Sequence, residues 1–162
     1  MPAAPRFRDP RATLYDYLGQ ILVTCPRCAE AAYIEPVADS GDRSGRAMFV
    51  PRKLVCRACG LARTWSGRCV SYGNSASAPE TDPYFHLPLR LQARTRHGWV
   101  WAYNREHLAL IRGFVEARLR ERAPRNDTGH TMTLLARLPA WIKRAHHRDE
   151  VLRAVDRISR AG

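Results

Sequence analysis

Cys25-Pro26-Arg27-Cys28 and Cys56-Arg57-Ala58-Cys59 are the two segments that decide the fold of this 162-residue chain. In each segment a two-residue spacer separates two cysteines, and this spacing lets both thiolates of a tight turn face one ion. Zn²⁺ prefers four such soft sulfur ligands in closed tetrahedral sites. The pattern therefore predicts one structural zinc ion held by Cys25, Cys28, Cys56 and Cys59.

Other roles for the cysteines are two unrelated pairs or a thioredoxin-like redox pair. Neither pair opens a helix in a βαβ pattern, which argues against the redox role. Cys69, ten residues after Cys59, is the fifth cysteine. Cys69 could be an alternative fifth metal ligand, but the four-ligand site is already closed, and a buried thiol that packs as a small apolar side chain is the more common role.

Short strand patterns flank both cysteine turns. Residues 20–24 and 32–34 surround the first turn, and residues 53–55 and 62–66 surround the second. The polar, glycine-containing residues 38–46 predict a surface loop between the two halves of the metal site.

The doubled cysteine turn between short strands resembles the zinc-ribbon superfamily. The 27 residues between Cys28 and Cys56 exceed the usual spacing of about 15 to 20, and the inserted loop accounts for the difference. The later segments 101–108 (WAYNREHL) and 138–145 (LPAWIKRA) are similar to segments of small uncharacterised bacterial zinc-ribbon proteins. The resemblance implies the same four ligands and a ribbon followed by a hairpin and helices, and it implies no activity.

The pattern changes after a stretch rich in Ser, Ala, Gly and Asn, where a linker is predicted. Beyond it, residues 87–95 and 99–103 predict a β-hairpin with Trp99 and Trp101 on one face. Apolar spacing and capping residues predict helices over residues 9–18, 105–122, 132–138, 139–145 and 149–160.

These elements predict an α+β fold, with a small antiparallel sheet on a four-cysteine zinc site, then a β-hairpin and three to four C-terminal helices. The predicted division is residues 1–70 for a short helix plus zinc ribbon, 71–83 for the linker, and 84–162 for the hairpin and helical module.

The chain has a net charge of +12 and a pI of about 10.4, which predicts attraction to phosphate-rich polymers or acidic protein surfaces. Of its 27 basic residues, all but Lys53 and Lys143 are arginines, whose planar fork matches phosphates bidentately. No apolar run approaches the roughly 18 residues of a bilayer span, and the first residues lack a secretory signal. With reduced cysteines, this predicts a cytoplasmic protein that does not bind membranes.

Candidate nucleic-acid contacts form two groups, for which ordinary solvated charge is the alternative. The first group lies in the ribbon, and the second lies in a tail segment without acidic residues. The ribbon group is Arg27, Arg52, Lys53, Arg57 and Arg63, and the tail group is Lys143, Arg144, His147 and Arg148.

Arg153, Arg157 and Arg160 share a face of the last predicted helix but weigh less as contacts. Asp149 and Asp156 lie four residues before Arg153 and Arg160 and can offset them by i,i+4 pairing.

Trp141 is expected to pack against the hairpin rather than to stack on a base. The six histidines are scattered, and most of them are predicted to be surface or capping groups.

The sequence thus favours a non-catalytic zinc-ribbon protein that binds DNA or RNA in transcription or translation. The alternative is an adaptor that docks on a large nucleoprotein machine, RNA polymerase or the ribosome. An enzyme built on His146, His147 and Asp149 would need further acids brought near by folding. Because the chain has no P-loop, no GxSxG motif and no tight carboxylate group, no catalysis is predicted.

Overall fold

The computed structural model describes residues 6–37, 48–67, 69–72, 78–117, 119–121 and 133–162, with residues 119–121 as backbone only. Its architecture is α+β, as predicted: an antiparallel sheet that carries the cysteines, a second hairpin and C-terminal helices. The strands are β1 (Arg6–Arg8), β2 (Ile21–Thr24), β3 (Ala31–Pro36), β4 (Arg52–Val55), β5 (Ala62–Trp65), β6 (Leu91–Thr95), β7 (Gly98–Ala102) and β8 (Leu119–Glu121). The helices are α1 (Arg105–Glu116), α2 (Leu134–Arg137), α3 (Ala140–Lys143) and α4 (Arg148–Ala161).

The four-stranded sheet has the order β2-β3-β4-β5, with every neighbouring pair antiparallel. Ile21 pairs with Ile34, and Ile34 pairs with Leu54, so one row of fully buried side chains crosses three strands. Because alternate residues of a strand point to opposite faces, this register leaves Lys53 on the exposed face.

The β6–β7 hairpin and helices α1 and α4 enclose a second core. Leu91 and Val100 of the hairpin pack with Ile111 of α1 and with Val155 and Ile158 of α4. Val155 and Ile158 are three residues apart, a spacing that places both side chains on one face of α4. Trp141 lies against the hairpin turn, where a β-carbon on Gly98 would be 3.4 Å from its Nε1, so its predicted packing role is confirmed.

Backbone hydrogen bonds join the two cores. The outer edge of β2 is covered because Leu22 N–H donates to the Tyr103 carbonyl at 2.8 Å and Thr24 N–H donates to the Pro88 carbonyl at 2.9 Å. Arg90 N–H donates back to the Leu22 carbonyl at 3.0 Å. Residues after the predicted linker therefore complete the first sheet.

The predicted linker, residues 71–83, is packed at its C-terminal end, whereas its residues 73–77 lie outside the described residues. Asp82 is fully buried, and its carboxylate accepts the N–H groups of Tyr84, Phe85 and Leu87 at 2.7 to 2.8 Å. A buried carboxylate that accepts three N–H groups holds these residues in an ordered turn. This end of the predicted linker is therefore not a flexible tether.

The predicted helix over residues 9–18 is wrong. Asp9 accepts the N–H of Arg11 at 2.8 Å, and Arg11 has a φ of 58°, which a right-handed helix cannot include. Only a short 3₁₀ helix, Leu14–Tyr17, forms there.

The predicted helix over residues 105–122 is too long. Ala117 is extended, with a ψ of 129°, and the chain continues as β8, which pairs in parallel with β1. Arg148 binds the Ala117 carbonyl at 3.2 Å, which holds this break open. The helices predicted over residues 132–138 and 139–145 are confirmed at shorter bounds, with residue 132 outside the described residues, and the helix predicted over residues 149–160 is confirmed one residue longer at each end. No helix among the described residues is long and apolar enough to cross a membrane.

Asn104 and His107 join the start of α1 to the N-terminal segment. The Asn104 side chain accepts His107 N–H at 2.9 Å and donates to the carbonyls of Tyr17 and Gln20, each at 3.0 Å. The His107 ring stacks on Tyr17 with centroids 5.0 Å apart, and its Nδ1 accepts Tyr103 N–H at 3.2 Å. Burial lowers the pKa of His107 from 6.5 to about 3, so the native imidazole is neutral.

We predict that His107 makes the protein less stable as the pH falls below about 6.5. Below about pH 6.5 the imidazole of His107 is protonated in the unfolded chain, whereas in the folded chain it stays neutral until the pH approaches its pKa of about 3. The unfolding free energy of the wild type should therefore fall relative to that of His107→Gln by about 1.4 kcal/mol per pH unit. Urea titrations at pH 7, 6 and 5 measure this difference, from which protonation of the cysteines cancels.

The control is His146→Gln, which changes an exposed histidine and shows how much of the difference between His107→Gln and the wild type follows from replacing any histidine. A constant gap between wild type and His107→Gln from pH 7 to pH 5 would contradict the prediction.

Candidate metal centre and basic surface

The two cysteine turns have the same backbone geometry. Ala29 N–H donates to the Cys25 carbonyl and Gly60 N–H donates to the Cys56 carbonyl, each at 3.0 Å. Ala29 and Gly60, which directly follow the second cysteine of each turn, have φ values of 63° and 71°. This left-handed residue lets the strand return so soon that Cys25 N–H reaches the Glu30 carbonyl at 2.8 Å.

The sheet brings the two turns together, and the four sulfur atoms all lie within 4.8 Å of one another. Cys25 Sγ lies 3.7 Å from Cys59 Sγ, and Cys28 Sγ lies 3.6 Å from Cys56 Sγ. A tetrahedron with Zn–S bonds of about 2.3 Å places its sulfurs about 3.8 Å apart, whereas a disulfide needs about 2.05 Å. The four free thiols are therefore suited to bind one structural zinc ion.

The electrostatics of the thiols also favour a central cation. Burial by itself raises the pKa of Cys25, but backbone N–H groups of Arg27 and Cys28 lower it below its usual value. The N–H of Glu30 acts in the same direction on Cys28, yet burial and the neighbouring thiols raise its pKa. One thiolate thus opposes the formation of the next, and a divalent ion removes that opposition. When bound, zinc cross-links the β2–β3 turn to the β4–β5 turn.

Cys69 is not part of this cluster. Its side chain is exposed, so the expectation of a buried thiol is wrong, and the cluster of potential ligands within the described residues consists of the other four cysteines.

No protein-family model, no curated protein and no solved structure matches the chain.

The structure divides the ribbon group of predicted nucleic-acid contacts. Arg27, Lys53, Arg57 and Arg63 are exposed. The guanidinium of Arg57 lies 5.2 Å from the centroid of the Tyr33 ring. Lys53 is paired across the strands with Glu35, which reduces its local positive charge.

Arg52 differs from the rest of its group because its side chain is buried, at 3 % exposure. Its Nη1 donates to the Leu18 carbonyl, and its guanidinium lies 4.7 Å over the ring of Tyr84. Arg52 therefore ties β4 to the segment before β2 and is not presented to a phosphate in this structure.

Most of the tail group contacts backbone carbonyls. Lys143 Nζ donates to Ala136 at 2.6 Å, and Arg148 donates through Nε to Val115 at 2.9 Å. His147 is buried, with its Nδ1 2.9 Å from the Trp141 carbonyl oxygen. Arg144 is the member of this group that remains exposed. The basic side chains that have no acidic neighbour in the sequence thus bind backbone carbonyls at the ends of helices.

The expectation of surface or capping histidines holds for part of the set, because His86, His97 and His146 are exposed. His107 and His147 are buried, and the rings of His97 and His147 stack with centroids 3.9 Å apart. Folding brings Glu150 to this place as well, with its Oε2 3.5 Å from His97 Nε2. Sequence spacing gave no signal of this contact, because the hairpin turn and the start of α4 are more than forty residues apart.

We predict that Cys56→Ser abolishes zinc binding and unfolds the four-stranded sheet, whereas Cys69→Ser changes neither property. Structural zinc contributes about 10 to 16 kcal/mol in zinc-finger peptides, more than so small a sheet gains from its own core. Metal analysis should find about one zinc per wild-type chain, and thermal unfolding should show the loss. Equal zinc content in the two variants would contradict the assignment of the ligands.

We also predict that Gly60→Ala lowers stability by about 1 to 2 kcal/mol, because the φ of 71° disfavours a β-carbon. Gly19→Ala is the matched control. An added β-carbon meets nothing within 4 Å at either position, and Gly19 has no positive φ. Urea unfolding of zinc-loaded protein measures both changes. A similar effect of the two substitutions would show that the left-handed turn is not the cause.

Proposed function

We propose that this chain is a non-catalytic zinc-ribbon protein that binds nucleic acid through its arginine-rich surfaces. The observation that carries the proposal is the position of Arg27 and Arg57. Each stands between the two cysteines of its turn, and each is exposed, so the turns that converge on the metal also place two guanidinium groups on the surface. Arginine at such fixed positions can bind phosphates bidentately.

The overall charge supports the same partner. A net charge of +12 on 162 residues attracts a polyanion at long range and accelerates association with it. The exposed positive groups of the ribbon extend from the turns to β5 through Arg63. Contacts of this kind read the phosphate backbone and not the bases, so the proposed binding depends little on sequence.

An adaptor role is the second candidate, and two exposed apolar side chains favour it. Val37 is 55 % exposed and Phe49 is 49 % exposed, and they flank residues 38–47, which lie outside the described residues. Exposed apolar side chains are a common feature of protein-docking surfaces. A protein partner held by such a surface would survive nuclease treatment of a pull-down, whereas a partner bridged by nucleic acid would be lost.

We predict that the wild-type protein binds both duplex DNA and single-stranded RNA with an affinity that falls steeply with salt. Fluorescence anisotropy at 50 to 300 mM KCl should give a linear plot of log affinity against log salt. The expected slope is about −0.9 per phosphate contact on the duplex and about −0.7 on the single strand. The absence of binding at 50 mM KCl to either probe would refute the proposed function.

A further inference from the structure

We propose that the exposed arginines of α4, together with Arg94 of β6, form the main surface that contacts the nucleic-acid backbone. This inference rests on the proposed function and adds the location of the contact. The surface is defined by four residues, all exposed: Arg94, Arg153, Arg157 and Arg160. We call it the α4–β6 surface.

The first support is the arrangement of these residues on one side of the molecule. Arg153, Arg157 and Arg160 are spaced four and three residues apart on the face of α4 opposite its buried stripe. Arg157 Nη2 donates to the Arg94 carbonyl at 3.2 Å, which joins the helix face to the edge of the hairpin. At 1.5 Å per residue the three helix arginines span about 10 Å, a length over which one strand of a duplex carries about three phosphates.

The second support concerns the acid expected to neutralise this face. Asp156 accepts a hydrogen bond from Arg112 of α1. It makes no ion pair with Arg160 in the described part of the chain. Arg112 also binds Glu116 at 3.0 Å. The local pairing that the sequence suggests is thus replaced by a pairing between helices, and it leaves the positive charge of Arg160 in place.

The remaining acids near the surface lie at one end of it. Glu150 contacts Arg96 at 3.0 Å. Asp149 lies one turn before Arg153 and makes no ion pair with it in the described part of the chain. The side chains of Arg153 and Arg160 likewise make no hydrogen bond or ion pair within the described residues. Their N–H donors therefore face solvent, where a phosphate oxygen can accept them.

The third support is a comparison with the other basic groups. In the tail group, Lys143, His147 and Arg148 hold backbone carbonyls. In the ribbon, Arg27 and Arg57 adjoin a metal centre whose four thiolates and one Zn²⁺ sum to a charge of about −2. That negative charge reduces, without removing, the attraction of Arg27 and Arg57 for phosphate, so we assign them the secondary contacts and the α4–β6 surface the main ones. Within the described residues no metal-ligand cluster adjoins the α4–β6 surface, and the acids of α4 nearest to its arginines are the single carboxylates Asp149 and Asp156.

The experiment compares two triple variants that each remove three exposed positive charges. Arg153/Arg157/Arg160→Gln changes the α4–β6 surface, and Arg27/Arg57/Arg63→Gln changes the ribbon. The probes are a 20-base-pair duplex DNA and a 20-nucleotide single-stranded RNA, and the readout is anisotropy between 50 and 300 mM KCl. The two probes separate duplex from single-stranded backbone as the source of the phosphates.

We expect the α4 variant to lose at least tenfold in affinity at 50 mM KCl. Its salt slope on the duplex should shrink by about 2 to 3, or about 0.9 for each lost contact. The ribbon variant should lose less than half as much of the slope. Arg153/Arg160→Gln removes no internal hydrogen bond of the described structure, so it tests the surface even if the triple variant is less stable. Zinc content and thermal unfolding verify the fold of each variant.

If the wild type binds and the α4 variants bind equally well, the α4–β6 surface is rejected while the proposed function stands. An equal or larger loss in the ribbon variant would also overturn the inference, because the main contact would then lie at the metal centre. If the wild type binds neither probe, the proposed function and this inference both fail.

Discussion

The convergence of four thiols on one point is the constraint on which the rest of the structure depends. Each strand of the four-stranded sheet has only four to six residues, and such short strands bury too little apolar area to offset the entropy of ordering them. The cysteine turns lie at the same end of two successive hairpins, so one ion fixes the relation of β2–β3 to β4–β5. We therefore expect metal binding and folding of this sheet to be coupled.

The helical half of the chain depends on that sheet. Residues 88–90 add to the edge of β2, and Asn104 caps α1 while it binds the carbonyls of Tyr17 and Gln20. Arg52 spans the same boundary because its guanidinium lies 4.7 Å over the ring of Tyr84. Because buried polar groups must find partners, these contacts set the position of the hairpin and α1 more sharply than apolar packing alone would.

The abundance of arginine serves two different purposes. Arg52 and Arg148 bind backbone carbonyls that would otherwise lack a donor where helices and turns end. Arg27, Arg153 and Arg160 instead stand in solvent. A high formal charge therefore overstates the charge available to a partner. Contacts formed on folding select which arginines contribute to a binding surface.

The sequence by itself determined the features that arise from local spacing. These are the two cysteine turns, whose four thiols are suited to bind one zinc ion, the α+β class, and the hairpin that carries Trp99 and Trp101. The thiols of a CxxC turn, the faces of a strand and the stripe of a helix follow from a few neighbouring residues, so their pattern is visible in one dimension.

Only the tertiary structure decided how charged and polar side chains pair. Asp156 has Arg160 four residues away but binds Arg112, forty-four residues away. The ring of His147 stacks on that of His97 in the β6–β7 turn. The buried guanidinium of Arg52 lies over the ring of Tyr84, thirty-two residues away in the sequence. Long, flexible side chains pair with the groups that lie close to them in space. Those distances are set only when the four-stranded sheet and the helices pack together.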